Sequence, residues 1–183
     1  MAYNSDKLIM SDGEMDINKE LLNACRTGDL ASAQDAVREG AQVNFMGRMG
    51  RTPIMNAMWT NHRPVIKWLL SLDSLDVNIG EHVKTGENSL HIACHYCDYD
   101  VVREVLRRSA EGMVNRNDGD HFSPVQWAVY SDNVGAVLGL LGDERVDWGI
   151  RDKEGRSLLD MARYGMLLLV SSGYGWAIGI EII

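Results

Sequence analysis

Cysteine, proline and phenylalanine are scarce in this chain, and positive charge is outweighed. Three cysteines in 183 residues, Cys25, Cys94 and Cys97, are too few and too odd in number to staple a small secreted scaffold. They point to a reducing compartment and so to a cytoplasmic protein, the nucleus remaining open. With only three prolines, helices can run between turns without interruption. Lys and Arg number 18 against 26 Asp and Glu, a formal charge of −8, which is the wrong sign for a nucleic-acid partner. No secretory signal opens the chain, since Leu8-Ile9-Met10 is far shorter than the apolar stretch such a signal needs. The longest charge-free run, residues 164–180, is at the short limit for crossing a bilayer and is diluted by glycine and serine. What is present is 45% apolar and 24% charged residues, a balance that closes a packed core and excludes wholesale disorder.

The core is periodic. Five alanines, Ala24, Ala57, Ala93, Ala128 and Ala162, stand 33, 36, 35 and 34 residues apart, each inside the same local pattern of turn, short helix, turn, longer helix and extended linker. The second copy is the fullest. Gly50-Arg51-Thr52-Pro53-Ile54-Met55-Asn56-Ala57 places a tight turn before a helix, with Thr52 as N-cap oxygen and Pro53 at the first helical position. A second helix from about Pro64 then presents Val65, Ile66, Leu69 and Leu70 as one stripe. Val101, Val102, Val105 and Leu106 repeat that stripe in the third copy, and Val137, Leu140 and Leu141 in the fourth. The units lie near 18–44, 48–78, 84–115, 119–148 and, incomplete, 153–165. Each helix pair has an apolar face it cannot bury alone, so the pairs must stack on their neighbours.

These copies resemble the ankyrin repeat, whose opening signature is T-P-L-H-x-A on a 33-residue period. The resemblance covers residues 20–165. Departures are Met55, Gln126 and Asp160 where the family has His, and His121 where a glycine usually precedes the helix, which is expected to reshape that hairpin. The resemblance implies an all-α solenoid of stacked helix-turn-helix units with hairpin loops, and a function in protein–protein interaction as a scaffold or adaptor. It also implies a concave binding face made of hairpin tips and of the two positions after helix one's signature alanine. Those helix positions are Arg26 and Thr27, Trp59 and Thr60, His95 and Tyr96, Tyr130 and Ser131, then Tyr164. Trp59, Tyr96, Tyr130 and Tyr164 are the proposed anchors, because Trp and Tyr give large contact area with few rotors. His95 and the tip residue Phe122 join them. Among the tips, Arg48, Arg51, Lys84, Lys153 and Arg156 face Glu87, Asp120 and Glu154, a local net of +2. That excess suits an acidic or phosphorylated peptide, and it also suits ordinary solvated charge.

No catalytic set is visible. The chain has no Gly-x-Ser-x-Gly elbow, no phosphate-binding Gly-x-x-x-x-Gly-Lys-Ser/Thr loop, no Gly-x-Gly-x-x-Gly and no His-Glu-x-x-His, so neither an enzyme activity nor a cofactor is expected. One cluster, His91-Ile92-Ala93-Cys94-His95-Tyr96-Cys97, has zinc-ligand chemistry. Its other reading is structural, with His91 at the signature His that ties neighbouring turns together in the family and Cys94 as a small buried residue. A regulatory subunit or zinc-bearing protein is therefore the rival. In the linkers, Val43-Asn44 and Asp76-Val77-Asn78 place asparagines that brace hairpins; the resemblance also makes Asn78 a candidate for asparaginyl hydroxylation, with Leu70 eight residues before it.

The ends depart from the pattern. Residues 1–15 are polar and read as a mobile leader, with helix one starting at Asp16 or Asn18. At 166–183, Met166-Leu167-Leu168-Leu169-Val170 arrives about six residues too early for the second helix of the fifth unit. Three readings stay open for this segment: an irregular cap, a membrane anchor for a tethered adaptor, and an array that diverges and leaves an apolar end.

Overall fold

A computed structural model describes residues 12–163. Within them lie α1 (Asp12–Thr27), α2 (Leu30–Arg38), α3 (Pro53–Trp59), α4 (Arg63–Leu70), α5 (Ser89–Tyr96), α6 (Tyr99–Arg108), α7 (Glu111–Val114), α8 (Pro124–Tyr130) and α9 (Val134–Leu140). Residues 158–163 open a further helix, and no strand occurs among the described residues beyond one antiparallel bridge between Arg151 and Ser157. The expectations for Tyr164, for the segment 166–183 and for the first eleven residues fall outside what is described.

The helices pair in chain order, α1 with α2, α3 with α4, α5 with α6 and α8 with α9, and the pairs lie side by side. First helices touch first helices along α1, α3, α5 and α8, while α2, α4, α6 and α9 form a second row. The signature alanines Ala24, Ala57, Ala93 and Ala128 are all buried in the first row, where a small side chain lets neighbouring helices approach. In the second row the stripes Val65, Ile66, Leu69, Leu70 and Val101, Val102, Val105, Leu106 are buried as expected. On α9 the close approach falls to Gly139, where an added Cβ would sit 3.1 Å from Val102.

Local chemistry explains where helices start. Pro53 and Pro124 open α3 and α8 at positions where a missing N–H costs nothing. Asn88 opens α5 with a reciprocal box: its Oδ1 accepts from the Leu90 and His91 N–H groups at 2.9 and 3.0 Å, and His91 Nδ1 accepts from the Asn88 N–H at 3.2 Å. Asp29, Asp98 and Asn133 cap α2, α6 and α9 through their side chains.

Several expectations need correction. Thr52 does not cap α3 through its side chain, because its hydroxyl is buried without a hydrogen-bond partner and only its carbonyl accepts the first helical bond. Helix one begins at Asp12, inside the segment read as a leader, and Asn18 sits within it. Asn18 Oδ1 accepts from the Gln42 N–H at 2.7 Å across the loop, so its role is tertiary rather than terminal. The hairpin before α8 keeps its backbone: His121 adopts φ +67°, beside +76°, +70° and +76° at Gly50, Gly86 and Gly155, so the histidine carries the strain in place. The expected α9 stripe is only partly covered. Leu140 is buried, Val137 is half-buried and Leu141 is 57% exposed, because no later second-row helix lies over it among the described residues.

Candidate functional site: a ring-lined inner face

The residues that follow each signature alanine come together with rings from the hairpins as one chain of contacts. Trp59 at the end of α3 meets Tyr96 at the end of α5, with ring centroids 4.9 Å apart. Tyr96 lies beside His95, stacked at 4.0 Å and 20°. His95 reaches Trp127 on α8 at 4.7 Å, and Trp127 meets Tyr130 edge-on at 5.7 Å. Phe122, from the hairpin before α8, closes the far end against both, at 5.8 Å from each. Trp59 and Tyr130 remain 36% and 64% exposed, whereas His95, Tyr96, Phe122 and Trp127 are half-buried. The four ring-to-ring steps from Trp59 to Tyr130 total about 19 Å along their path, which is the upper bound on the length of the row.

Trp127 was missed by the register argument, which looked only after each signature alanine. Its position just before Ala128 is where Asn56 and Ile92 stand in the other units. The available signal was its spacing: Trp127 and Tyr130 are i and i+3 on one helix and share a face. The ring is fixed by Asp118, whose Oδ2 accepts from Trp127 Nε1 at 2.7 Å while its Oδ1 accepts from the Asp120 and Phe122 N–H groups at 2.9 Å.

The expected positive groove is largely compensated. Arg51 lies with its guanidinium carbon 3.7 Å from the Trp59 ring centroid and its Nη2 3.8 Å from Glu87 Oε2, both charged groups being mostly enclosed. Glu87 also accepts from Thr85 Oγ1 at 2.7 Å, and Thr85 in turn takes the His82 Nδ1–H at 2.6 Å. Burial, followed by the nearby Arg51 charge, holds the His82 imidazole below its ordinary range. Arg156 is held in its own hairpin by Asp152 at 2.5 Å and Glu154 at 2.9 Å. Arg48 and Lys84 are exposed at the tips.

The histidine–cysteine cluster is dispersed among structural tasks. His91 accepts at Nδ1 from Asn88, so its Nε2 carries the proton and donates to the Phe122 carbonyl at 3.0 Å, tying α5 to the next hairpin. Burial pushes its imidazole below the ordinary range and keeps it neutral. The Cys94 and Cys97 thiols are buried and raised, Cys97 to about 12, so they remain protonated. Among the described residues no three His, Cys, Asp or Glu side chains are arranged to hold a metal ion, and the zinc reading of this cluster gains no donor set.

Asn78 is a cross-unit brace. Its Nδ2 donates to the Arg108 carbonyl at 3.1 Å and its Oδ1 accepts from the Ala110 N–H at 2.7 Å. Asn44 repeats this toward Ser74 and Asp76, at 2.7 and 2.9 Å, and Asn115 toward Arg145 and Asp147, at 2.6 and 2.9 Å. Arginines form a parallel series: Arg108 donates to the Leu70 carbonyl at 2.7 Å and Arg145 to those of Ser109 and Leu106 at 2.8 and 2.9 Å. The Leu70 carbonyl at the end of α4 and the Ser109 carbonyl just after α6 gain a donor that the helices do not supply, and the Leu106 carbonyl gains a second beside the Ser109 N–H. Nothing local in the sequence marks Asn115, Arg108 or Arg145 for these roles, because each partner lies one unit away.

The class defined by this geometry is an all-helical stack of paired helices with one aromatic face. Among known proteins, the chain is 28% identical over 103 residues to the ankyrin repeat and KH domain-containing protein mask-1 of Caenorhabditis elegans. The match covers 56% of this chain and 4% of that relative's length. No family model matches the chain. Among the described residues no helix is long and apolar enough to cross a membrane.

Proposed function

We propose that the chain is an ankyrin-type repeat solenoid that binds a segment of a protein partner along its ring-lined inner face and performs no covalent chemistry. The observation that carries this reading is the continuous ring contact from Trp59 to Tyr130, exposed at both ends and backed by fixed residues. A preset row of aromatic faces offers apolar contact at little entropic cost. The regular stacking of paired helices, the positive-φ residue before each of four first helices and the distant relative named for its ankyrin repeats support the solenoid.

The partner segment is extended, apolar in its middle and acidic where it passes Arg48 and Lys84. Arg51 and Arg156, already paired, act as supports for the face rather than as anion ligands. A phosphorylated segment is the more highly charged version of the same ligand. The free thiols suit a reducing, cytoplasmic setting.

The test is selection of binding peptides from a random library on the wild-type protein, followed by titration against the Trp59→Ala/Tyr130→Ala double variant. Selected peptides should lose at least about tenfold in affinity while circular dichroism stays unchanged. Peptides that bind the double variant equally well would remove the inner face from the function.

A further inference from the structure

The outward side of the last complete pair is apolar and open. Val134, Leu138 and Leu141, on and just after α9, are 44%, 51% and 57% exposed, and Trp148 and Leu159 beside them are 38% and 47% exposed. In the preceding units the residues matching Leu141 are Leu70 and Leu106, exposed only 9% and 2%. Between α9 and the helix opening at residue 158 lies a hollow of about 460 Å³, whose lining includes Val129, Val134, Val137, Trp148, Leu158 and Leu159.

We propose that the chain's own run Met166-Leu167-Leu168-Leu169-Val170 occupies this hollow and closes the array in cis. Chemistry matches first: the run is five consecutive apolar residues inside a charge-free stretch, and the hollow's lining is mostly hydrocarbon. Proximity comes next. Met166 follows Ala162, itself part of the lining, by four residues, which reach at most about 14 Å. A tethered segment holds an effective concentration that a free partner must exceed.

Register is the third argument. Each second-row helix begins six residues after its signature alanine: Leu30 after Ala24, Arg63 after Ala57, Tyr99 after Ala93 and Val134 after Ala128. Six residues after Ala162 is Leu168. The second-row element of the fifth unit would therefore open inside the run, while the buried stripes that cover each neighbour lie eight to thirteen residues after the alanine (Val65 to Leu70, Val101 to Leu106), so the run reaches the hollow from the entry of that element rather than from its stripe.

The experiment uses the full chain with two engineered cysteine pairs, Val134→Cys with Leu168→Cys and Leu138→Cys with Leu169→Cys. Asp35→Cys with Leu168→Cys is the distant control. The native thiols are buried, so mild oxidation of dilute protein reports on the new ones. The proposal expects an intrachain disulfide in at least one α9 pair, several times above the control. Crosslinks only between molecules would assign the hollow to a second copy and overturn it, as would no crosslink above the control.

A second measurement guards against unfavourable disulfide geometry. The Leu167→Asp/Leu168→Asp/Leu169→Asp variant should bind an apolar fluorescent dye several-fold more strongly than wild type, with helix content unchanged. Equal dye binding by the two folded proteins would also overturn the proposal. Neither readout involves the inner face, so this inference and the proposed function fail separately.

Discussion

The inner ring face and the loop edge are both built at the repeat period, yet they are finished in opposite ways. Along the loop edge every repeated polar group finds a partner one unit away: Asn44, Asn78 and Asn115 each give and take a hydrogen bond with the next linker. Along the inner face the repeated side chains contact each other and still leave ring surface at Trp59 and Tyr130. One edge is closed and holds the stack together; the other is preset and keeps ring surface exposed. The same spacing thus gives cohesion where groups are satisfied internally and an open face where they are not.

The contrast can be broken most severely at His91, which lies between the two edges. His91→Leu leaves the buried Asn88 N–H unpartnered and takes from the Phe122 carbonyl one of its two donors, the Asp118 N–H remaining, and should cost about 3 kcal/mol in urea denaturation. Next comes the closed edge: Asn78→Ala should cost about 2 kcal/mol, with Asn44→Ala and Asn115→Ala similar, and none should alter peptide affinity more than about twofold.

Acidification sharpens the comparison further. The folded state holds His91 below its ordinary value of 6.5 by burial, so the unfolded chain takes up its proton first. The stability from neutral His91 is complete above about pH 6.5 and is lost as pH falls from there toward the folded value, at up to about 1.4 kcal/mol per pH unit. The urea midpoint should therefore drop between pH 7 and 5, with a flatter profile in His91→Gln. Trp59→Ala/Tyr130→Ala should change stability by less than about 1 kcal/mol while removing peptide binding. The smallest effect is a gain: His121→Gly relieves a positive-φ histidine and should raise stability by about 0.5 kcal/mol in thermal melts.

Much of this was legible in the chain because repetition amplifies weak local signals. A single Thr-Pro before Ala57 says little, but matching turns around each signature alanine and aliphatic stripes in three units locate both rows of helices, and Trp59, His95, Tyr96 and Tyr130 follow from one register rule. The unread parts depend on contacts between units. Nothing local in Asn115 or Arg145 shows that each reaches a carbonyl on the preceding or following turn. Trp127 stands one residue before its signature alanine, on the other side of it from the rule's positions, and its orientation depends on Asp118, nine residues away. The tip charges misled for the same reason: Arg51 and Arg156 count as positive in a tally, yet each has an acidic neighbour in space. Thr52, a good cap by type, turned its hydroxyl into the core instead.

The asparagine braces also bear on how the array responds to being pulled. Because each amide grips only the adjacent linker, tension applied along the stack is carried by fasteners in series, with none spanning two junctions. Such a chain lengthens in steps rather than failing at once, each step releasing one unit of roughly 33 residues and about 110 Å of contour. The end with the fewest fasteners gives way first, so the row of rings would be shortened from one side before the middle of the stack opens.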